Sequence, residues 1–172
     1  MADIQPLLPA HGFYVAIEVD EDSVIAGGLR NQADALEAAV TAAGGKVTRP
    51  PIEIASHTPW MQAAVQPFEQ AIANSNIKAP SFPVLAGISG ARLHDQVSAA
   101  SMLSRQLAEP IRWQAVMDGL HEAGVTLAIE LGPGAALAKM LKTRHPHIQC
   151  RSIAEFRSLA GVKKWIAQYT DA

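Results

Sequence analysis

Residues 126–131 of this 172-residue chain form a short apolar run that stops at Gly132-Pro133-Gly134 and passes directly into a helix-like stretch reaching about residue 143. A buried strand that feeds a helix through a tight glycine turn has to pack that helix against a sheet. The same alternation recurs along the sequence. A strand-like run at 82–86 precedes helical stretches at 94–107 and 112–123, separated at Pro110, and a last strand at 148–153 precedes a helix carrying Phe156, Leu159, Val162, Trp165 and Ile166. These elements predict an α/β fold with a parallel sheet covered by helices.

The first third of the chain has a different pattern. Residues 13–19 and 23–27 are β-rich and flank the acidic turn Asp20-Glu21-Asp22, which predicts a hairpin. Ala33, Leu36, Ala39, Val40 and Ala43 share one face of a helix over 30–43, and Gly44-Gly45 ends it. Residues 46–54 are again β-like. Strand, strand, helix, strand is what a ferredoxin-like βαββαβ unit leaves when its first strand and helix are removed. The expected organisation is an N-terminal tail (1–12), a partial ferredoxin-like subdomain (13–54) and an α/β core (55–172), with the chain starting inside a domain.

With 49% hydrophobic and 17% charged residues, the chain can bury an ordinary core. Fourteen Lys and Arg against sixteen Asp and Glu leave no basic surface for nucleic acid. No apolar run reaches membrane-spanning length, and the N-terminus lacks the charged-then-apolar pattern of a secretory signal. A single cysteine, Cys150, cannot form an internal disulfide, which suits a reducing, cytoplasmic setting.

His57 is the first candidate for chemistry. It precedes Thr58-Pro59, a pairing suited to the N-cap and first position of a helix whose inner face carries Met61, Ala64, Val65, Phe68, Ala71 and Ile72. An imidazole can take a proton from a hydroxyl and return it to a leaving thiol, as acyl transfer requires. The residues alone leave a purely structural loop histidine open. Gly87-Ile88-Ser89-Gly90-Ala91 nearly spells a nucleophile elbow, but 90–93 reads as a loop where an elbow enters a helix at once, so Ser89 is expected in a turn. Ser56, next to His57, is expected to point away from it.

Gly132-Pro133-Gly134 lacks the third small residue of a dinucleotide fingerprint, since position 137 is Leu137, and reads as a close-packed turn. His145-Pro146-His147 has no neighbouring carboxylate or cysteine in sequence, so no metal site is expected. Cys150 reads as a small core residue.

Three stretches, Ala-Ser-His-Thr-Pro-Trp-Met (55–61), Arg-Gln-Leu-Ala-Glu-Pro-Ile-Arg-Trp (105–113) and Ile-Glu-Leu-Gly-Pro-Gly-Ala-Ala-Leu (129–137), resemble landmarks of the malonyl-CoA:acyl-carrier-protein acyltransferases and polyketide acyltransferase domains, in order and in spacing. The resemblance runs from Val15 onward. It implies the C-terminal part of a hydrolase-like parallel-sheet core with an incomplete ferredoxin-like subdomain. His57 falls on the catalytic histidine, and Gln106 on the glutamine whose backbone carbonyl orients it. The implied reaction moves a malonyl group from coenzyme A to an acyl carrier protein through an acyl-serine, with no bound cofactor.

The family's nucleophilic serine, its oxyanion glutamine and its malonyl-binding arginine belong to a preceding half that this sequence lacks. The resemblance therefore implies either a truncated piece of the enzyme or half of a split one, its partner then being a separate chain that supplies the other half; self-association is the alternative partner. Where the family carries Asn-x-x-x-Gln, this chain has Glu18-Val19-Asp20-Glu21-Asp22, which places substrate contacts from that loop in question. Residues 155–162 are similar to the tail of the acyltransferase subunit of malonate decarboxylase. Two further readings stand beside this one: a non-catalytic remnant serving as an assembly or carrier-docking module, and a small hydrolase using Ser89.

Overall fold

The computed structural model describes residues 4–170. The first three residues of the expected tail and the last two of the core lie outside the described residues. The chain divides into two compact units, residues 1–116 and 117–172.

In the first unit, α1 (Leu7–Ala10) is one helical turn within the stretch expected as a tail. It is anchored, because Leu8 is buried with Leu36 and Val40. Burying a leucine of this kind stabilises by about 1.5–3 kcal/mol. β1 (Phe13–Asp20) and β2 (Ser23–Gly28) form the expected antiparallel hairpin, with a register shift at Ala16 and a tip in which Asp20 Oδ1 accepts the Asp22 amide. α2 (Ala33–Ala42) ends as its glycines require: Gly44 takes φ +82° and the Gly45 amide returns to the Val40 carbonyl at 2.9 Å.

Residues 46–54, read from sequence as a strand, are not one. Pro50 and Pro51 have no amide to donate to a ladder, and Ile52 and Ile54 remain exposed. The second edge of β1 is instead occupied by a segment distant in sequence, described below.

A 3-10 turn, Pro59–Met61, opens α3 (Gln62–Ala73). Met61, Ala64, Val65, Phe68 and Ile72 face inward as expected, while Ala71 is exposed. β3 (Val84–Leu85) pairs antiparallel with β4 (Arg92–Leu93), so the run at 82–86 forms a hairpin and not a strand of a parallel sheet. Gly90 at φ +71° turns the chain back. α4 (Gln96–Arg105) starts at Asp95, whose Oδ1 accepts the Ser98 amide at 2.8 Å. β5 (Ile111–Arg112) lies parallel to β1 at Ile17 and Glu18, which gives a three-stranded sheet in the order β2-β1-β5. α5 (Trp113–Glu122) crosses the division between the units.

The second unit has β6 (Leu127–Glu130), α6 (Ala136–Arg144), β7 (Gln149–Ser152) and α7 (Leu159–Thr170). β6 and β7 run parallel across a helix, a βαβ unit covering Ala138, Leu141, Ile148 and Cys150. Ser152 is fully buried; its hydroxyl donates to the Gly134 carbonyl and accepts the Ala154 amide. The α/β class holds, with the described strands arranged in three separate sheets.

Candidate active site

The end of α4 meets the loop before α3. A helix leaves its last carbonyls without intrahelical donors, and Gln106, the C-cap of α4, and Leu107 just after it present two such groups. His57 satisfies both: its Nδ1 lies 2.5 Å from the Gln106 oxygen, and its amide donates to the Leu107 oxygen at 2.9 Å. A carbonyl only accepts, so the Nδ1 nitrogen carries the proton and Nε2 keeps its lone pair.

This geometry requires an unusual backbone. His57 has φ +63°, one of two described non-glycine residues at positive φ, the other being Asn76. Such a conformation persists where surrounding structure over-determines it. Thr58 is fully buried and its hydroxyl turns back to the Ala55 carbonyl at 2.6 Å, so it does not cap the helix it precedes. Trp60 Nε1 donates to the Gly12 carbonyl at 3.0 Å, and its ring meets Tyr14 edge-on, tying the 3-10 turn to the start of β1.

Two glycines let the parts approach. A Cβ at Gly27 of β2 would lie 3.1 Å from the Ala55 Cα and from Thr58 Cγ2. One at Gly87 would lie 2.8 Å from Gln106 Oε1, so the glutamine side chain takes the space that any side chain at Gly87 would need.

Ser89 does not form an elbow. It is exposed in the β3–β4 turn, and its hydroxyl accepts the Ala91 amide at 3.2 Å. Among the described residues no hydroxyl hydrogen-bonds to the His57 ring. At Gly132-Pro133-Gly134, the Glu130 carboxylate accepts the Ala138 amide at 2.8 Å in the first turn of α6, so the chain's own anion occupies the place an outside anion would take. Cys150 is buried, and that burial pushes its thiol above the ordinary range. The left-handed backbone at His57 was not read from the sequence: histidine is among the residues enriched at positive φ, but the enrichment is too small to single out one position.

The polyketide biosynthesis protein ThaF of Burkholderia thailandensis is 34% identical over 118 residues, 68% of this chain and 10% of that protein. The malonyl CoA-acyl carrier protein transacylase of Haemophilus influenzae is 24% identical over 144 residues, 83% of this chain and 46% of the relative. The chain's relatives include the malonyl-CoA-acyl carrier protein transacylases of Homo sapiens, Haemophilus influenzae and Salmonella typhimurium. The match falls in the C-terminal region of that transacylase family. The crystal structure of the Xanthomonas oryzae transacylase superposes with a TM-score of 0.85 at 22% identity, covering 94% of this chain and 53% of that one. At that identity the likeness establishes the shared α/β fold. The chain thus spans about half the length of the Haemophilus and Xanthomonas transacylases and a tenth of the polyketide protein. No family model matches it. Among the described residues, no helix is long and apolar enough to cross a membrane.

Proposed function

We propose that this chain is the histidine-bearing portion of an acyltransferase that moves a malonyl group from coenzyme A to an acyl carrier protein, with His57 as general base and Gln106 as its orienting partner. The observation that carries this is the Nδ1 contact with the Gln106 main-chain oxygen at 2.5 Å. It leaves Nε2 as the acceptor.

A serine supplied from outside these residues would give its proton to Nε2 as its oxygen attacks the thioester carbonyl. Collapse of the tetrahedral adduct breaks the carbon–sulfur bond, and the coenzyme A sulfur leaves with the proton held on Nε2. In the second half, Nε2 takes the proton of the carrier's thiol. The sulfur attacks the acyl-serine, and the serine oxygen departs with that proton. Throughout, Nδ1 keeps its proton and donates it to the Gln106 carbonyl, which holds the ring in one orientation. The reaction as proposed needs no resident cofactor and suits a cytoplasmic setting. The narrower malonate decarboxylase branch rests on residues 155–162 alone.

The test mixes this chain with the N-terminal half of a transacylase and measures malonyl transfer from coenzyme A to carrier protein. Transfer should need both pieces and fall by about 10²–10⁴-fold with His57→Ala. Robust transfer by the lone chain that survives His57→Ala refutes the reading. A second reading, a non-catalytic module that docks a partner, is favoured by the exposure of Ile52 (69%) and Ile54 (64%). A clean monomer in sedimentation, binding neither carrier protein nor the missing half, removes it.

A further inference from the structure

In the second unit, three imidazoles that the sequence keeps apart come together. His121 lies in the last turn of α5, His145 follows α6, and His147 precedes β7. One ring nitrogen from each lies within 4.8 Å of the other two. His121 Nδ1 and His147 Nε2 are 3.0 Å apart, so a single proton bridges two lone pairs that face each other. The His121 and His147 side chains are exposed and open to ions from solution.

The third imidazole is the one that is held. His145 Nε2 lies 2.9 Å from Asp118 Oδ1, and both Asp118 oxygens are gripped by Arg144, at 2.6 Å from Nε and 2.7 Å from Nη2. A carboxylate accepts and cannot donate, so His145 carries its proton on Nε2 and turns an unprotonated Nδ1 away from Asp118. A histidine whose far nitrogen is pinned by a carboxylate is the arrangement that fixes tautomer and orientation in metal-binding imidazoles. Pro146 between His145 and His147 stiffens the connection.

We propose that His121, His145 and His147 form a binding site for a divalent transition metal of the zinc class. Three neutral imidazoles select zinc, copper or nickel over the oxygen-seeking magnesium and calcium. A tetrahedral zinc holds its nitrogens at about 2.0–2.1 Å, hence roughly 3.4 Å from one another. The His121–His147 pair is already close to that spacing, and the metal takes the place of their bridging proton. The His121 and His145 rings are stacked, 4.9 Å between centroids and 21° from parallel. Binding therefore swings His121 off the stack so that the lone pairs converge. This departs from the expectation of no metal, which saw only His145 and His147. It is independent of the acyl-transfer proposal.

The test is a titration of the full chain, free of any oligohistidine tag, with Zn2+ against a chromogenic chelator. One Zn2+ per chain should bind at a dissociation constant of about 10 µM or tighter. His121→Asn and His147→Asn, both at exposed positions, should each weaken binding at least about tenfold. Asp118→Asn, which keeps all three imidazoles, should weaken it about 10–100-fold. Circular dichroism establishes that each variant is folded; the two exposed histidines carry the test if Asp118→Asn does not fold. Binding weaker than about 100 µM, or affinity unchanged in both exposed variants, overturns the proposal.

Discussion

Replacing His57 with glycine and, separately, with alanine isolates the strain in its backbone. Both variants delete the ring and its 2.5 Å bond to Gln106, leaving that carbonyl without its donor, and both retain the amide bond to Leu107 at 2.9 Å. They differ only in a Cβ at φ +63°. A Cβ in the left-handed region costs roughly 1–2 kcal/mol, and glycine's greater freedom in the unfolded chain offsets about 0.4–1 kcal/mol of that. His57→Gly should therefore be more stable than His57→Ala by about 0.5–1 kcal/mol. Each should fall below the parent chain by about 1–3 kcal/mol for the carbonyl left unpaired, less whatever strain glycine relieves. Urea unfolding followed by tryptophan fluorescence reads the difference as a midpoint shift of roughly 0.3–0.6 M at an ordinary slope. An alanine variant equal to or more stable than the glycine variant refutes the claim that this loop is held against its own preference.

Ile148→Ala, at a site 1% exposed beneath α6, should lower stability by about 2–5 kcal/mol, measured as a shift in urea midpoint without a change in slope. Cys150 should resist thiol reagents in the native chain at pH 8 and react fully in denaturant, because burial raises its thiol; rapid native labelling contradicts its packing. Glu155 is held below its ordinary value of 4.5 chiefly by its hydrogen bond from Arg151. A depressed carboxylate contributes stability that is fully present above its unfolded value and is lost as pH falls through the folded value. Glu155→Gln should accordingly remove part of the acid-side loss below about pH 4.5, and an unaltered acid limb of stability against pH contradicts this.

The elements visible in the sequence are those whose reasons are local. The 13–28 hairpin follows from β-rich runs around an acidic turn, and α2 from its apolar spacing and Gly44-Gly45. His57 stood out by its place ahead of a helix start and Gln106 by resemblance, and the structure brings the two within hydrogen-bond distance. What sequence missed depends on pairings between distant segments. Nothing in Ile111-Arg112 announces a partner at Ile17 and Glu18, and the apolar character of 82–86 does not distinguish a hairpin arm from a core strand. The absent strand at 46–54 did leave a sign, in two adjacent prolines that β-propensity reading passed over. His121 lies far from His145 in sequence, so no motif spacing could unite them; only the return of the chain through α6 does.

The group that aligns the His57 ring is an oxygen of the main chain. Every amino acid brings that atom, so no single codon change at position 106 deletes it, whereas an aspartate in the same office could be lost to one mutation. Control over the ring passes to whatever ends α4 on time, and changes in the Ser104–Pro110 turn should disturb His57 more than replacement of the glutamine side chain itself.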